Sequence, residues 1–189
     1  MYKLCKTEQS AARQRQLEQG LLQAMHTQLY EDISISDLCD KMGVPRKSFY
    51  RYFSSKDGAL LALLDHTLME FDQTPVRRSS LRGTAIGDLE RYFVFWHDRK
   101  ELLEVLERNR LSGMLVERAT AHAMNERMMP SYLRATPEKV QNLALTFAVC
   151  GLLAIVLQWH NEGYKQGPEE MARIASYLLT RPLVPQSNE

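Results

Sequence analysis

The chain has 189 residues, of which 44 % are hydrophobic and 25 % charged, and its formal net charge is +1. That balance excludes a mainly disordered chain, and the length suits one small module joined to one medium body. The whole-chain charge points to no polyanion, but Lys41, Arg46, Lys47, Arg51 and Lys56 follow one another with no Asp or Glu between them, as expected where one local surface meets phosphate.

No alternating strand pattern persists along the chain, whereas helical spacing recurs, so an all-α fold is expected. Leu17, Leu21, Met25 and Leu29 fall four apart and predict a first helix over about residues 9–30, followed by a connector, Glu31 to Ile33. Ser34 opens a second helix, and Asp37 three residues later makes S-x-x-D, a capping box with a shortened acid. Ile35, Leu38 and Met42 supply its apolar face, and Gly43 ends it, since glycine takes a positive φ at little cost. Pro45 suits the start of a third helix, with Phe49 and Phe53 on its inner side. A leucine-rich fourth helix is expected over about 56–72.

Residues 73–83, with Pro75, Arg77, Arg78, two serines and Gly83, read as a linker. Further helices are expected at about 84–97, 99–109, 111–128, 137–161 and 168–180, with Pro137 and Pro168 in first turns and Gly163 and Gly167 at a helix end and the turn after it. The run Leu143 to Leu157 carries no charge. It falls short of the ~20 apolar residues a membrane span needs, so a fully buried helix is expected and no membrane partner. Its cover is either its own domain or another subunit.

Cys5, Cys39 and Cys150 are odd in number and show no CxxC spacing, which disfavours a disulfide framework or clustered zinc site. They read as small apolar residues of a reducing compartment. The opening MYKLCKTEQS lacks an apolar signal-peptide core, so a cytoplasmic protein is expected. His97 and His122 stand alone, without an HxxxH pair, and read as ordinary polar residues; no metal and no cofactor is expected. The chain has no P-loop, GxGxxG, GxSxG or helical HExxH, so nothing supports an enzyme.

A helix, a tight turn at Gly43 and a short cationic helix make a helix-turn-helix over residues 34–53, in which the first helix braces the second and the second meets base edges in the major groove. The run ISISDLCDKMGVPRKSFYRYFSSKDGALLALL resembles the DNA-binding domain of the TetR family of regulators, over about residues 9–65. The resemblance rests on Ser34 before the second helix, the turn Gly43-Val44, the aromatic ending Tyr50-Arg51-Tyr52-Phe53, and Ser55-Lys56 opening the fourth helix. The stretch WHNEGYKQGPEEMARIASYLL resembles the C-terminal end of some members, often Firmicutes-like ones.

The resemblance implies two domains, a DNA-binding domain over 1–55 and an effector-binding and dimerisation domain over 56–189, with helix 56–72 linking them. It implies a homodimer on a palindromic operator in double-stranded DNA, repression by family default, and control by a small apolar effector or a protein co-regulator. Pro45, Arg46, Lys47 and Ser48 occupy the exposed start of the recognition helix and become the candidates for base contacts, Ser34, Tyr50, Tyr52 and Lys56 become the candidates for phosphate, and Arg51 is counted with them as DNA-binding. Pro45 stands where a small hydroxyl residue is common, Lys47 where a small residue, often glycine, is common, and Cys39 where alanine is usual. The operator is therefore not transferable from relatives.

Tyr92, Phe95, Trp96, Met114, Met128 and Tyr132 are the candidate lining of an effector cavity, and they suit a packed core equally well. Phe147, Cys150, Gly151, Ala154 and Leu157, three or four apart, with Tyr177 and Leu178 on the last helix, are the candidate dimer face. A helical scaffold that has lost DNA binding remains the alternative from another class.

Overall fold

The structure is a computed structural model, and it describes residues 2, 3, 5, 7–75, 82–125, 130, 133 and 137–180. Among these residues it is built of nine α-helices and no strand: α1 Glu8–Thr27, α2 Ile35–Lys41, α3 Arg46–Tyr52, α4 Lys56–Gln73, α5 Ala85–His97, α6 Lys100–Arg108, α7 Ser112–Asn125, α8 Glu138–Asn161 and α9 Pro168–Thr180. The all-α expectation holds.

The chain divides into two compact units, one of Met1–Met69 with Glu101–Arg118, the other of Glu70–Lys100 with Ala119–Glu189. In the first, α1 lays Leu17, Leu21 and Met25 into a core shared with Leu38, Phe49, Phe53, Leu60 and Leu64, all buried. Three of the four residues of the predicted stripe thus form the inner face of α1, whereas Leu29 lies beyond its end and is 45 % exposed. Helix α1 ends at Thr27, three residues before the expected end, because Gln28 turns extended at φ −134°. A 3₁₀ turn over Tyr30–Asp32 then leads towards α2. Leu102, Leu103, Val105 and Leu106 of α6 are buried, and Arg108 donates to the carbonyls of His26 and Met25, where α1 leaves its last acceptors unsatisfied.

In the second unit α5 packs against α9. Thr84 caps α5 by accepting the Gly87 N–H at 3.1 Å. The aromatic rings of α5 stack edge-on, Phe95 on Trp96 at 5.3 Å and Phe93 on Trp159 of α8 at 5.6 Å between centroids. Pro137 precedes α8 as its N-cap, whereas Pro168 is the first residue of α9, as expected.

Helix α8 is long and apolar enough to cross a membrane by length and composition. The expectation that it is covered on every side is not met within the chain: only 28 % of its apolar stretch is buried. Leu145, Ala148, Leu152, Leu153, Val156 and Trp159 face inward, while Leu143 is 71 % and Phe147 69 % exposed. An apolar sequence decides that a helix needs cover, but not that its own fold supplies all of it.

Candidate nucleic-acid interface

The local structure around α2 and α3 follows from a few side chains. Ser34 caps α2, its Oγ accepting the Asp37 N–H at 3.0 Å and donating to Asp37 Oδ2 at 2.7 Å. The acid of this S-x-x-D box is short, so it closes back on the capping hydroxyl. Gly43 sits at φ +62°, and a Cβ there would meet nothing within 4 Å. Glycine is therefore demanded by the backbone and not by crowding. The Val44 N–H then donates to Cys39 O at 2.9 Å, which closes the end of α2. Pro45, at φ −63° and ψ 140°, is the N-cap of α3, one position before the expected first-turn place. It presets the entry angle and needs no partner for an amide it lacks.

Helix α3 is seven residues long and cannot hold itself in water. Its inner face supplies the anchor, with the buried rings of Phe49 and Phe53 5.1 Å apart. That leaves Pro45, Arg46, Lys47, Tyr50 and Arg51 exposed and Ser48 half-buried. Tyr50 is 46 % exposed and lies edge-on to Phe49, whereas Tyr52 is only 7 % exposed. The two tyrosines are therefore not equivalent: Tyr50 offers its ring and hydroxyl outward, and Tyr52 packs inward, its carbonyl accepting the Lys3 N–H at 2.9 Å.

Lys56 departs furthest from its expected use. Its ammonium donates to the carbonyls of Tyr30, of Glu31 at 3.2 Å and of Ile33 at 2.8 Å, and lies 4.4 Å from the Tyr30 ring centroid. Three donors meet three carbonyls, so the group braces the 3₁₀ turn ahead of α2 in place of reaching outward. Burial holds its pKa below the ordinary lysine value, against the pull of Asp57, Asp32 and Glu31. Tyr30 answers from the other side, its hydroxyl donating to Asp57 Oδ1 at 2.6 Å, with burial and that bond pushing its pKa well up. A cation at a helix start opposes the macrodipole, and the carbonyl cluster explains why one stands there.

Sequence reasoning missed a neighbouring feature. An open cleft of about 520 Å³ is lined by Gln9, Ser10, Ala12, Arg13 and Gln16 of α1 with Ser48, Arg51 and Tyr52 of α3. Arg13 and Arg51 bring two cations to it, and Arg13 is steadied by Gln16 Oε1 at 2.6 Å. Arg13 lies on α1, far in sequence from the basic run, so only the packing of α1 beside α3 brings them together.

The effector candidates separate. Tyr92, Phe95 and Trp96 come together in the second unit with Phe71, whose ring lies 5.8 Å from Tyr92 and 5.1 Å from Phe95. Met114 belongs to the first unit, and Met128 and Tyr132 lie outside the described residues. The buried Trp96 Nε1–H has no hydrogen-bond partner among the described residues. Of the candidate dimer residues, Phe147, Ala154, Tyr177 and Leu178 are exposed and Cys150, Gly151 and Leu157 half-buried. His122 Nε2 lies 2.8 Å from Asp72, and the His97 ring lies 5.7 Å from that of Trp159 and edge-on to that of Tyr164 at 5.0 Å between centroids. No group of three or more metal-ligating side chains occurs among the described residues.

Comparison with solved structures shows the same fold at low identity. The fatty acid degradation regulator FadR from Bacillus halodurans superposes with a TM-score of 0.66 at 15 % identity, over 95 % of this chain and 98 % of that one. A tetR-family transcriptional regulator from Streptomyces coelicolor gives 0.57 at 18 %, over 89 % and 79 %. The dihydroxyacetone kinase operon activator DhaS gives 0.57 at 13 %, over 89 % and 94 %. No curated protein sequence matches the chain. Two family models match it, "Bacterial regulatory proteins, tetR family" over residues 22–64 and "Transcriptional regulator C-terminal region" over residues 89–181. The chain belongs to the TetR family of DNA-binding transcriptional regulators.

Proposed function

We propose that the protein is a cytoplasmic homodimer that reads a palindromic operator with the exposed start of α3 and acts as a repressor. The observation that carries the reading is the polarity of α3: Phe49 and Phe53 are buried while Arg46 and Lys47 stand in solvent. Arg46 and Lys47 contact base edges, Arg being the commonest reader of guanine. Pro45 and Ser48 flank them, and Ser34, Tyr50, Arg51 and Arg13 lie against phosphates. Lys56 acts one step back, by bracing the turn that presents α2.

The outer face of α8 and α9 supports a dimer. Leu143, Phe147, Ile174, Tyr177 and Leu178 are large apolar side chains in solvent on helices of the same unit, and a twofold contact between copies covers such a face with itself. Control lies in the aromatic cluster of Tyr92, Phe95 and Trp96, which suits a small apolar ligand with one acceptor for the Trp96 indole N–H.

The test is a selection of bound sites from random duplex DNA. A symmetric site with half-sites ~10 base pairs apart, or a multiple of that, is the expected product. An enriched pool without symmetry would contradict the dimeric reading, and no enrichment would favour a helical scaffold. A thermal-shift screen then separates a small ligand, which raises the melting temperature by mass action, from a protein co-regulator.

A further inference from the structure

Tyr2 lies outside every helix, yet the end of the recognition helix is tied to it. Its backbone forms a β-bridge with Phe53, and the following amide, Lys3 N–H, donates to Tyr52 O at 2.9 Å. Tyr52 is the last residue of α3 and Phe53 its C-cap. The Tyr2 side chain is fixed in turn on α4: the hydroxyl donates to Asp65 Oδ2 at 2.7 Å, and the ring stands edge-on to His66 at 6.0 Å between centroids.

Both α4 residues are themselves held. Arg118 of α7 grips Asp65 bidentately, Nε to Oδ1 at 2.6 Å and a terminal nitrogen to Oδ2 at 2.7 Å. His66 Nδ1 lies 2.9 Å from Oε2 of Glu18, a fully buried residue of α1. The Asp65 carboxylate that receives the phenol is therefore already charge-balanced, so the tie leaves no unpaired buried charge.

We propose that Tyr2 is a positioning residue for DNA recognition, fixing the C-terminal end of α3 to α4 and so setting the angle at which Arg46 and Lys47 meet base edges. The inference rests on the reading of α3 as the recognition helix. A seven-residue helix seated on the inward rings of Phe49, Tyr52 and Phe53 gains a further restraint on its angle when its end is tied. Base readout demands placement to within ~0.5 Å, whereas flexible Lys and Arg side chains still find phosphates after a small pivot. Loss of the tie therefore lowers sequence-specific binding more than it lowers binding to any duplex.

The experiment uses the full chain with Tyr2→Phe, which removes only the hydroxyl, and Tyr2→Ala, which removes the ring as well. Affinity is measured by fluorescence anisotropy for the selected operator and for a random duplex of equal length, at two salt concentrations. Operator affinity should fall ~5-fold for Tyr2→Phe and ~20-fold for Tyr2→Ala. Random-duplex affinity should stay within ~2-fold and the salt slope unchanged. The Lys3 amide should exchange with solvent faster in both variants. A lowered melting temperature with an unchanged operator-to-random ratio would mean a stabilising role only and would overturn the proposal. An unsubstituted chain that prefers no sequence over random duplex would overturn the recognition-helix reading itself, a failure visible before any variant is compared.

Discussion

The outward surface of α3 and the outward surface of α8 with α9 are both exposed, and their chemistry is opposite. On α3 the exposed side chains are Arg46, Lys47, Tyr50 and Arg51, while on α8 and α9 they include Leu143, Phe147, Ile174, Tyr177 and Leu178. Solvated cations on a short helix cost nothing in water and wait for a polyanion. Large apolar side chains in water cost ~25 cal/mol per Å² left uncovered and call for an apolar partner. The same helical scaffold thus presents one surface suited to a salt-dependent, reversible contact and one suited to an apolar contact.

The comparison breaks most visibly at Phe147. Phe147→Glu places a charge on the apolar face and should weaken self-association by ~2–4 kcal/mol, seen as a monomer in sedimentation equilibrium with an unchanged helical circular dichroism spectrum. A dimer that persists would mean that this face is not the contact.

On the polar surface, Arg46→Ala and Lys47→Ala should each cost ~1–3 kcal/mol of operator affinity and relax base preference at their own positions. Arg51→Ala should weaken all sequences alike and lower the salt slope by ~1 in gel-shift titrations. Equal affinity for the three variants and the unsubstituted chain would remove α3 from the interface.

Lys56 sharpens the boundary of that surface. Lys56→Met keeps the stem but deletes the donors to the carbonyls of Tyr30, Glu31 and Ile33, and should destabilise the fold by ~1–2 kcal/mol, or ~2–8 °C in melting temperature. The salt slope should not change; a fall of ~1 would return Lys56 to the phosphate contacts. The smallest effect belongs to the turn. Gly43→Ala must adopt a positive φ and should cost ~1 kcal/mol in chemical denaturation, with Gly43→Asn milder because Asn tolerates that region.

The reading surface was the most legible part of the chain because it is local. Ser34, Gly43 and Phe49 act within a few residues of where they stand, through a cap, a positive-φ turn and an inward ring, and each is found in that role. Residues whose role depends on distant partners were less legible. Nothing near Lys56 announces three carbonyls 23 to 26 residues earlier, and nothing near Tyr52 separates its fate from that of Tyr50. The apolar run of α8 announced a need for cover, but not which side would be left open.

The sequence by itself determined an all-helical chain, the helix-turn-helix and the cationic start of α3, since periodicity, caps and glycine act over one or two helical turns. Only the tertiary structure decided that Lys56 braces a turn, that Arg13 joins Arg51 across a cleft, and that Tyr2 holds the far end of α3. Those pairings join residues far apart in the chain, and their energy exists only once burial has closed the loops between them.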